Sequence, residues 1–315
     1  MNLLRRQAWD RAREFLRKAA RPLEWALFRH RFERDPVEEV FDALRDFQNA
    51  DGGFGRSLEP DLRTPDSSAL VTGIGLRMLA ELGCPSDHPL VRGAVEFLLV
   101  TFEQEREVWR AVPRSANDHP HAPWWHEENG SLRSLFDGFR IIPRALILAG
   151  LHHYAALVPE GWLEEVTEST ARYIETVEVL GEGGGSDLEY AIALAEAENL
   201  PEGMAKRLKA CIREAIPEAV VRDPELWGTY CIKPLGIAPR PDALGADLLE
   251  EQLQVHLDYK IAHQSPQGTW DPTWSWGENF PDTWAQARRE WQGILTLESL
   301  SQLKAFNRLQ RSEKV

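Results

Sequence analysis

Apolar residues recur along the chain with the period of an α-helix, and no stretch alternates convincingly between apolar and polar residues. Segments with one apolar face alternate with segments that are apolar on nearly every side, as amphipathic and buried helices are. The pattern predicts an all-α protein built from helical hairpins. The predicted helices cover residues 5–19, 22–33, 36–48, 67–82, 89–105, 141–158, 160–179, 187–199, 202–216, 245–262 and 283–306.

A short motif occurs twice at the end of a predicted amphipathic helix. Gln48–Gly55 reads Gln-Asn-Ala-Asp-Gly-Gly-Phe-Gly, and Gln264–Trp270 reads Gln-Ser-Pro-Gln-Gly-Thr-Trp. The spacing between the copies leaves room for intermediate units, so the chain is predicted to hold about five helical hairpins. We interpret the motif as a structural clasp, because glycine permits a tight turn and the glutamine amide can hydrogen-bond exposed groups at helix ends.

The overall composition is that of a globular protein, with 315 residues, of which 43% are hydrophobic and 27% charged. We expect a single domain over residues 1–315, with residues 1–34 as an N-terminal helical extension packed on it. The net charge of −14 argues against nucleic acid and anionic membranes as partners, because both attract basic surfaces. No stretch approaches the roughly 20 apolar residues of a spanning helix, so stable membrane insertion is not expected.

The cysteines Cys84, Cys211 and Cys231 lie far apart in the sequence. They indicate neither a disulfide framework nor a cysteine-based zinc site. The N-terminus becomes charged at once and contains no apolar run of signal-peptide length. These features predict a cytoplasmic protein, and they leave its oligomeric state open.

The glutamine–glycine–aromatic motif resembles the repeat of squalene and oxidosqualene cyclases. The segment Asp51–Gly55 is also similar to the Gly-Gly-Phe repeat of protein prenyltransferase β subunits. The resemblance covers about residues 36–306 and implies an α/α toroid, in which an inner ring of apolar helices lies inside an outer ring of amphipathic ones. It also implies a central aromatic-lined cavity for a small hydrophobic, isoprenoid-like molecule.

The motifs that carry the chemistry of those families are missing. There is no Asp-x-Asp-Asp, whose middle acid protonates an alkene in class II terpene cyclases, and no Asp-Asp-x-x-Asp for magnesium-diphosphate binding. Asp66 resembles the zinc-binding aspartate of the prenyltransferases, but Ser68 stands where that family has a cysteine, and serine is a poor zinc ligand. We therefore expect no metal and no cofactor, and whether the protein is an enzyme is left open.

Acidic residues beside predicted helix starts are the candidates for general-acid chemistry. The catalytic candidates are Asp61, Asp66, Asp187 and Glu189, and Glu59 is a candidate for binding substrate. Each has a structural alternative. Asp66, Asp187 and Asp282 are suited to capping helices, and the acids on either side of Pro60 are suited to a solvated or turn-stabilising role in a loop.

Aromatic residues are the candidates for the wall of a pocket, which also includes one histidine: Trp124, Trp125, His126, Tyr230, Trp274 and Trp276. Such walls suit isoprenoids, cationic intermediates and the faces of sugars, but tryptophans also close the ends of helical barrels. The long loop at 107–140 holds His119, His121 and His126. Their spacing matches no metal-binding motif, so metal binding by this loop is left open.

The first interpretation is therefore a terpenoid cyclase-like or prenyltransferase-like protein that binds or transforms an isoprenoid-like molecule by general-acid chemistry at a carboxylate. One alternative is a carbohydrate-active enzyme on an α/α barrel, with paired carboxylates and tryptophan stacking. Another is a non-catalytic binding or scaffold protein. One buried acid in an apolar cavity would favour the isoprenoid, and two acids about 5–10 Å apart would favour the carbohydrate.

Overall fold

The structure is a computed structural model that describes residues 2–128, 131–132, 139–181 and 186–310. In this part of the chain α-helices dominate and the strands are only two residues long, which confirms the all-α prediction. The chain divides into two compact units. Unit 1 comprises Met1–Ala43 and Ile216–Val315, and unit 2 comprises Leu44–Ala215. A single domain with an N-terminal extension stays a prediction.

Twelve α-helices occur in the described residues, and each unit boundary falls within one of them, α3 and α9. A π-helical turn, Arg29–Glu33, continues the second helix. In chain order the helices are α1 (Arg6–Ala19), α2 (Pro22–Phe28), α3 (Glu38–Arg45), α4 (Ala69–Glu81), α5 (Pro89–Val100), α6 (Arg144–His153), α7 (Trp162–Thr176), α8 (Ser186–Ala195), α9 (Glu202–Ala219), α10 (Pro234–Ile237), α11 (Glu250–Ala262) and α12 (Pro281–Ala305).

Two small antiparallel pairs and one short helix are additions to the predicted elements. The chain leaves α5 at Val100 and forms β1 (Phe102–Glu103) with β2 (Val108–Trp109). Further on, β3 (Glu127–Glu128) pairs with β4 (Ser131–Leu132). These strands and the four-residue α10 are too short to show a period of their own. The sequence Gly-Glu-Gly-Gly-Gly at 181–185 suggests a turn, and it lies outside the described residues after Gly181.

The apolar helices of unit 2 pack side by side. α6 contacts both α4 and α8, while the amphipathic α5 and α7 pack against α4 and α6 respectively. Glycines permit the close approach of α4 to α6. A Cβ atom added at Gly73 would lie 2.9 Å from Cγ1 of Ile147, and one added at Gly150 would lie 3.0 Å from Cδ2 of Leu76. Each apolar helix therefore packs against an apolar neighbour, and α4 and α6 also pack against amphipathic helices.

The first glutamine motif fastens a turn to two helices of unit 2. Gln48 Nε2 donates to the carbonyl oxygen of Gly52 at 2.8 Å and to that of Leu90, in the first turn of α5, at 2.9 Å. The backbone N–H of the buried Phe54 donates to Thr72 Oγ1 on α4 at 2.9 Å. The turn is thus held to both helices of the following hairpin.

The second motif makes the same set of hydrogen bonds in unit 1. Gln264 Nε2 donates to the carbonyl oxygen of Gly268 and to that of Ala8, in the first turn of α1, both at 3.0 Å. The backbone N–H of Trp270 donates to Thr296 Oγ1 on α12 at 3.3 Å. The prediction that the repeated motif is a structural clasp is confirmed.

The two clasps differ in the helix whose carbonyl oxygen accepts the second hydrogen bond of the glutamine. For the first clasp it is α5, which follows α4 in the sequence, and for the second it is α1, from the other end of the chain. A Cβ added at Gly52 would lie 2.4 Å from the carbonyl oxygen of Gly93, and one added at Gly268 would lie 2.5 Å from the backbone nitrogen of Ala12. α1 therefore gives its clasp the same close backbone contact that α5 gives the other.

Candidate functional site

A short backbone pairing joins two loops of unit 2, which we name the acid loop (Glu59–Arg63) and the histidine loop (His119–His126). The acid loop comes shortly after the first clasp and shortly before α4, and the two loops are far apart in the sequence. Two backbone hydrogen bonds join the loops. Ala122 N donates to the carbonyl oxygen of Asp61 at 2.8 Å, and Arg63 N donates to that of Pro120 at 3.1 Å. The histidine loop, which is distant in the sequence, therefore helps to fix the position of the acid loop.

Both carboxyl groups of the acid loop are buried, with a relative exposure of 9% for Glu59 and 2% for Asp61. Acidic residues are rarely buried, because an ionised carboxylate loses its hydration there. Residues separated by one position have Cα atoms at most about 7 Å apart. The two acids therefore share one small buried region of unit 2.

His121 and His126 of the histidine loop form a hydrogen-bonded pair. Nε2 of His121 lies 3.0 Å from Nδ1 of His126, and the rings are nearly parallel, 11° apart in plane, with centroids 5.3 Å apart. Nδ1 of His121 lies 2.6 Å from the carbonyl oxygen of His119, which can only accept, so this nitrogen carries a proton. In the neutral pair His126 Nδ1 then donates to His121, and Nε2 of the exposed His126 is the basic nitrogen.

The register of the backbone pairing determines which face Asp61 and His121 each occupy. Leu62 and His121 lie opposite each other in an antiparallel bridge, so their side chains share one face of the pairing. Successive side chains alternate between faces, which puts Asp61 on the other. The register therefore places Asp61 and His121 on opposite faces of the pairing.

Asn117 closes the base of the histidine loop. Its Nδ2 donates to the carbonyl oxygen of Glu127 at 2.7 Å, and its Oδ1 accepts from the backbone nitrogen of Glu127 at 2.9 Å. Glu127 also forms an ion pair with Arg110. Of the two tryptophans predicted to line a pocket here, Trp125 is buried at 7% exposure and Trp124 is partly exposed.

Asp66 is exposed, and it accepts a hydrogen bond from Ser115 Oγ at 2.5 Å. It does not cap α4. The N-cap is Ser68, whose Oγ accepts from the backbone nitrogen of Val71 at 3.1 Å. The serine at the position of the prenyltransferase cysteine therefore has a structural role, and a catalytic role for Asp66 stays a prediction.

Asp187 and Glu189 lie in the first turn of α8, as Asp282 does in α12. Oδ2 of Asp187 accepts from the backbone nitrogen of Gly181 at 2.9 Å, so this carboxylate ties the preceding segment to the helix. Glu189 is exposed. Carboxylates at these positions are favoured by the positive end of the helix dipole. A catalytic role for either residue of α8 stays a prediction.

The three aromatic candidates of unit 1 have different surroundings. Trp276 is fully buried and packs against Trp284, with ring centroids 5.5 Å apart, so it is part of the core. Tyr230 is 55% exposed, Trp274 is partly exposed, and their rings meet at 6.1 Å. Of the three, Tyr230 and Trp274 are accessible to a ligand.

Comparisons of the chain with protein-family models, with curated proteins and with solved structures gave no match. In the described part of the chain, no group of three or more His, Cys, Asp or Glu side chains is arranged to hold a metal ion. No helix within the described residues combines the length and the apolar character needed to cross a bilayer.

Sequence reasoning indicated the histidines and Asp66 but missed Asn117, which bonds to the end of the histidine loop, and Ser115, which bonds to Asp66. Asn117 and Ser115 lie in a 3₁₀ helix of five residues, Arg114–Asp118. Asparagine and serine are common in turns, where their side chains bond to nearby backbone. That local preference is visible in the sequence, but their partners Glu127 and Asp66 are determined by the fold.

Proposed function

We propose that the protein is an acid–base enzyme whose reacting groups are the carboxyl groups of Glu59 and Asp61. The observation that carries this proposal is the burial of both side chains in a loop whose backbone is held by the histidine loop. Loops on a rigid scaffold are frequent carriers of catalytic residues. Two buried acids are costly to maintain, which fits catalysis better than a solvated turn.

Carbohydrate is the substrate class that the acid loop supports best. Hydrolysis of a glycosidic bond uses two carboxyl groups about 5–10 Å apart, a separation within reach of two side chains one position removed from each other. One carboxylic acid donates its proton to the leaving oxygen. The other, as carboxylate, activates a water molecule or attacks the anomeric carbon. Protonation of an alkene would need only one such acid.

An isoprenoid-like small molecule is the second candidate, and the apolar helices of unit 2 favour it. α4 begins with three buried residues, Ala69, Leu70 and Val71, only a few positions after the acid loop. We also propose the α/α toroid as the arrangement of the helices. Its support is the same clasp in each unit and the packing of apolar helices against one another and against amphipathic ones in unit 2. In the isoprenoid interpretation a single acid, Asp61, protonates the substrate.

The test is a turnover screen of the full chain on two panels, aryl glycosides with oligosaccharides and prenyl diphosphates with squalene. We expect turnover of at least one sugar substrate. Asp61→Asn and Glu59→Gln should each lower kcat by about 10²–10⁴-fold, the usual contribution of acid–base groups. Glu105→Gln removes an exposed carboxylate and is the matched control, expected to keep full activity.

Other outcomes decide between the interpretations. Turnover confined to the prenyl panel, lost in Asp61→Asn and kept in Glu59→Gln, would favour the second candidate. Turnover that survives both substitutions, or none on either panel, would refute the proposed site and favour a binding or scaffold protein. Circular dichroism of each variant shows whether a loss of activity reflects a loss of fold.

A further inference from the structure

Three aromatic side chains of unit 1 form a partly exposed cluster, which we name the aromatic platform: Tyr230, Trp274 and Trp291. The ring of Trp274 packs edge to face with Tyr230, at 6.1 Å and 76°, and with Trp291, at 5.0 Å and 83°. Tyr230 is 55% exposed, and both tryptophans are partly exposed. Edge-to-face packing is favourable for aromatic rings, and more than half of the surface of Tyr230 remains in contact with solvent.

Planar polar groups border the platform. Asp271 Oδ1 accepts from Arg288 Nε at 3.1 Å and from Gln292 Nε2 at 2.7 Å. Arg288, Trp291 and Gln292 have the spacing of neighbours on one face of α12. Asp271 and Trp274 lie three residues apart in the loop before that helix. One helix face and one loop therefore supply the two tryptophans and the polar border, while Tyr230 comes from a separate segment.

Lys233 links the two segments that carry the other rings. Its Nζ donates to the carbonyl oxygen of Thr229 at 3.0 Å and to Thr273 Oγ1 at 3.1 Å. Thr229 directly precedes Tyr230, and Thr273 directly precedes Trp274. The lysine thus fixes the spacing between the two rings and adds a second cation to the border.

We propose that the aromatic platform and its border bind a carbohydrate chain. A sugar ring would stack its C–H face on an exposed aromatic ring, while its hydroxyl groups bond to Asp271, Arg288 and Gln292. Carboxylate, guanidinium and amide groups present their donors and acceptors in pairs, which suits the adjacent hydroxyl groups of a pyranose. This site uses residues of unit 1 only, so it does not rest on the proposed function of the acid loop.

The charges around the platform argue against the other ligands that aromatic rings attract. A cationic ligand would meet two cations, Lys233 and Arg288, and a carboxylate already paired with Arg288. An isoprenoid chain would bury little surface on an open site edged by charged groups. Nucleic acid is disfavoured by the net charge of −14.

The experiment is saturation-transfer NMR with isothermal titration calorimetry on the full chain, using cellohexaose, maltohexaose, mannohexaose and chitohexaose as probes. We expect at least one probe to bind, with saturation transfer strongest to the C–H protons of one sugar face. Tyr230→Ala and Trp274→Ala should weaken binding by about tenfold, whereas Tyr230→Phe, which keeps the ring, should bind within about twofold of wild type. Val255→Ala removes an exposed apolar side chain of α11 and should leave the affinity unchanged.

Three results would overturn the proposal. The first is no saturation transfer to any of the four probes, and the second is that both alanine variants bind the sugar as tightly as the wild type. The third is that farnesol binds at the platform and the sugars do not. Tyr230 is so exposed that its alanine variant should fold even if Trp274→Ala does not. Asp61→Asn separates the two sites. If the Asp61→Asn variant binds the hexasaccharide normally but has no turnover, both proposals stand. If the acid loop fails its test, the binding test of the aromatic platform is unaffected, and the reverse also holds.

Discussion

The glutamine clasps predict that Gln48 and Gln264 each stabilise the fold by a similar amount. Each amide nitrogen donates two hydrogen bonds to backbone carbonyl groups, at 2.8 and 2.9 Å for Gln48 and at 3.0 Å twice for Gln264. Substitution by alanine removes both donors and leaves the carbonyl groups without them. At about 0.5–1.5 kcal/mol for each bond, Gln48→Ala and Gln264→Ala should each lower the free energy of unfolding by about 1–3 kcal/mol.

Guanidinium unfolding measures the loss, and native-state hydrogen exchange locates it. Exchange should increase in the turn and in α5 for Gln48→Ala, and in the turn and in α1 for Gln264→Ala, because those segments accept the hydrogen bonds of the two glutamine amides. Gln267→Ala is the control, since Gln267 is exposed in the same turn and should change stability by less than about 0.5 kcal/mol. The reasoning is refuted if the control costs as much as Gln264→Ala, or if both clasp variants unfold like the wild type.

Three further predictions follow from buried groups. Gly75→Ala would bring a Cβ to 2.8 Å from the ring of Phe54, so it should lower the melting temperature, with a cost of about 1–3 kcal/mol. Burial, with repulsion from nearby lysines, holds the pKa of His256 well below its ordinary value. His256 therefore takes up a proton in the unfolded chain as the pH falls through about 6.5, but it does not do so in the folded chain. Stability should drop by up to about 1.4 kcal/mol by pH 5.5, and urea unfolding should show a smaller drop for His256→Gln. Burial raises the pKa of the Cys84 thiol to about 11, so at pH 8 it should react with Ellman's reagent only after unfolding.

Much of the fold could be predicted because its signals are local. A helix buried on every side must be apolar on every side, and α4, α6 and α8 show this directly in their sequences. The clasps followed from two copies of one short motif. The strands β1 to β4 could not be predicted in this way, because two residues cannot show an alternation.

The candidate site was predictable only in its composition. The sequence indicates Glu59 and Asp61 as acids beside a helix start, but a solvated or turn-stabilising role fits the same pattern. Their burial depends on a distant segment, whose Ala122 bonds to the backbone of Asp61. Likewise, nothing in the tryptophan-rich segment shows that Trp276 is core while Trp291, on the next helix, joins the exposed rings. Contacts between distant segments decide both, and a single sequence carries no local signal for them.

The equivalence of the two clasps bears on what the N-terminal helix is for. In the first clasp the second bond of the glutamine goes to α5, the amphipathic helix that follows α4, whereas in the second clasp the corresponding bond of Gln264 goes to Ala8 of α1. α1 takes the place of α5, with Ala12 and Leu16 fully buried, and packs against α12. The N-terminus is also held beyond the helix, because Leu4 N donates to the carbonyl oxygen of Arg308 at 2.8 Å. Residues 6–19 therefore pack against the hairpin of α11 and α12 in unit 1 in the way that α5 packs against α4 in unit 2.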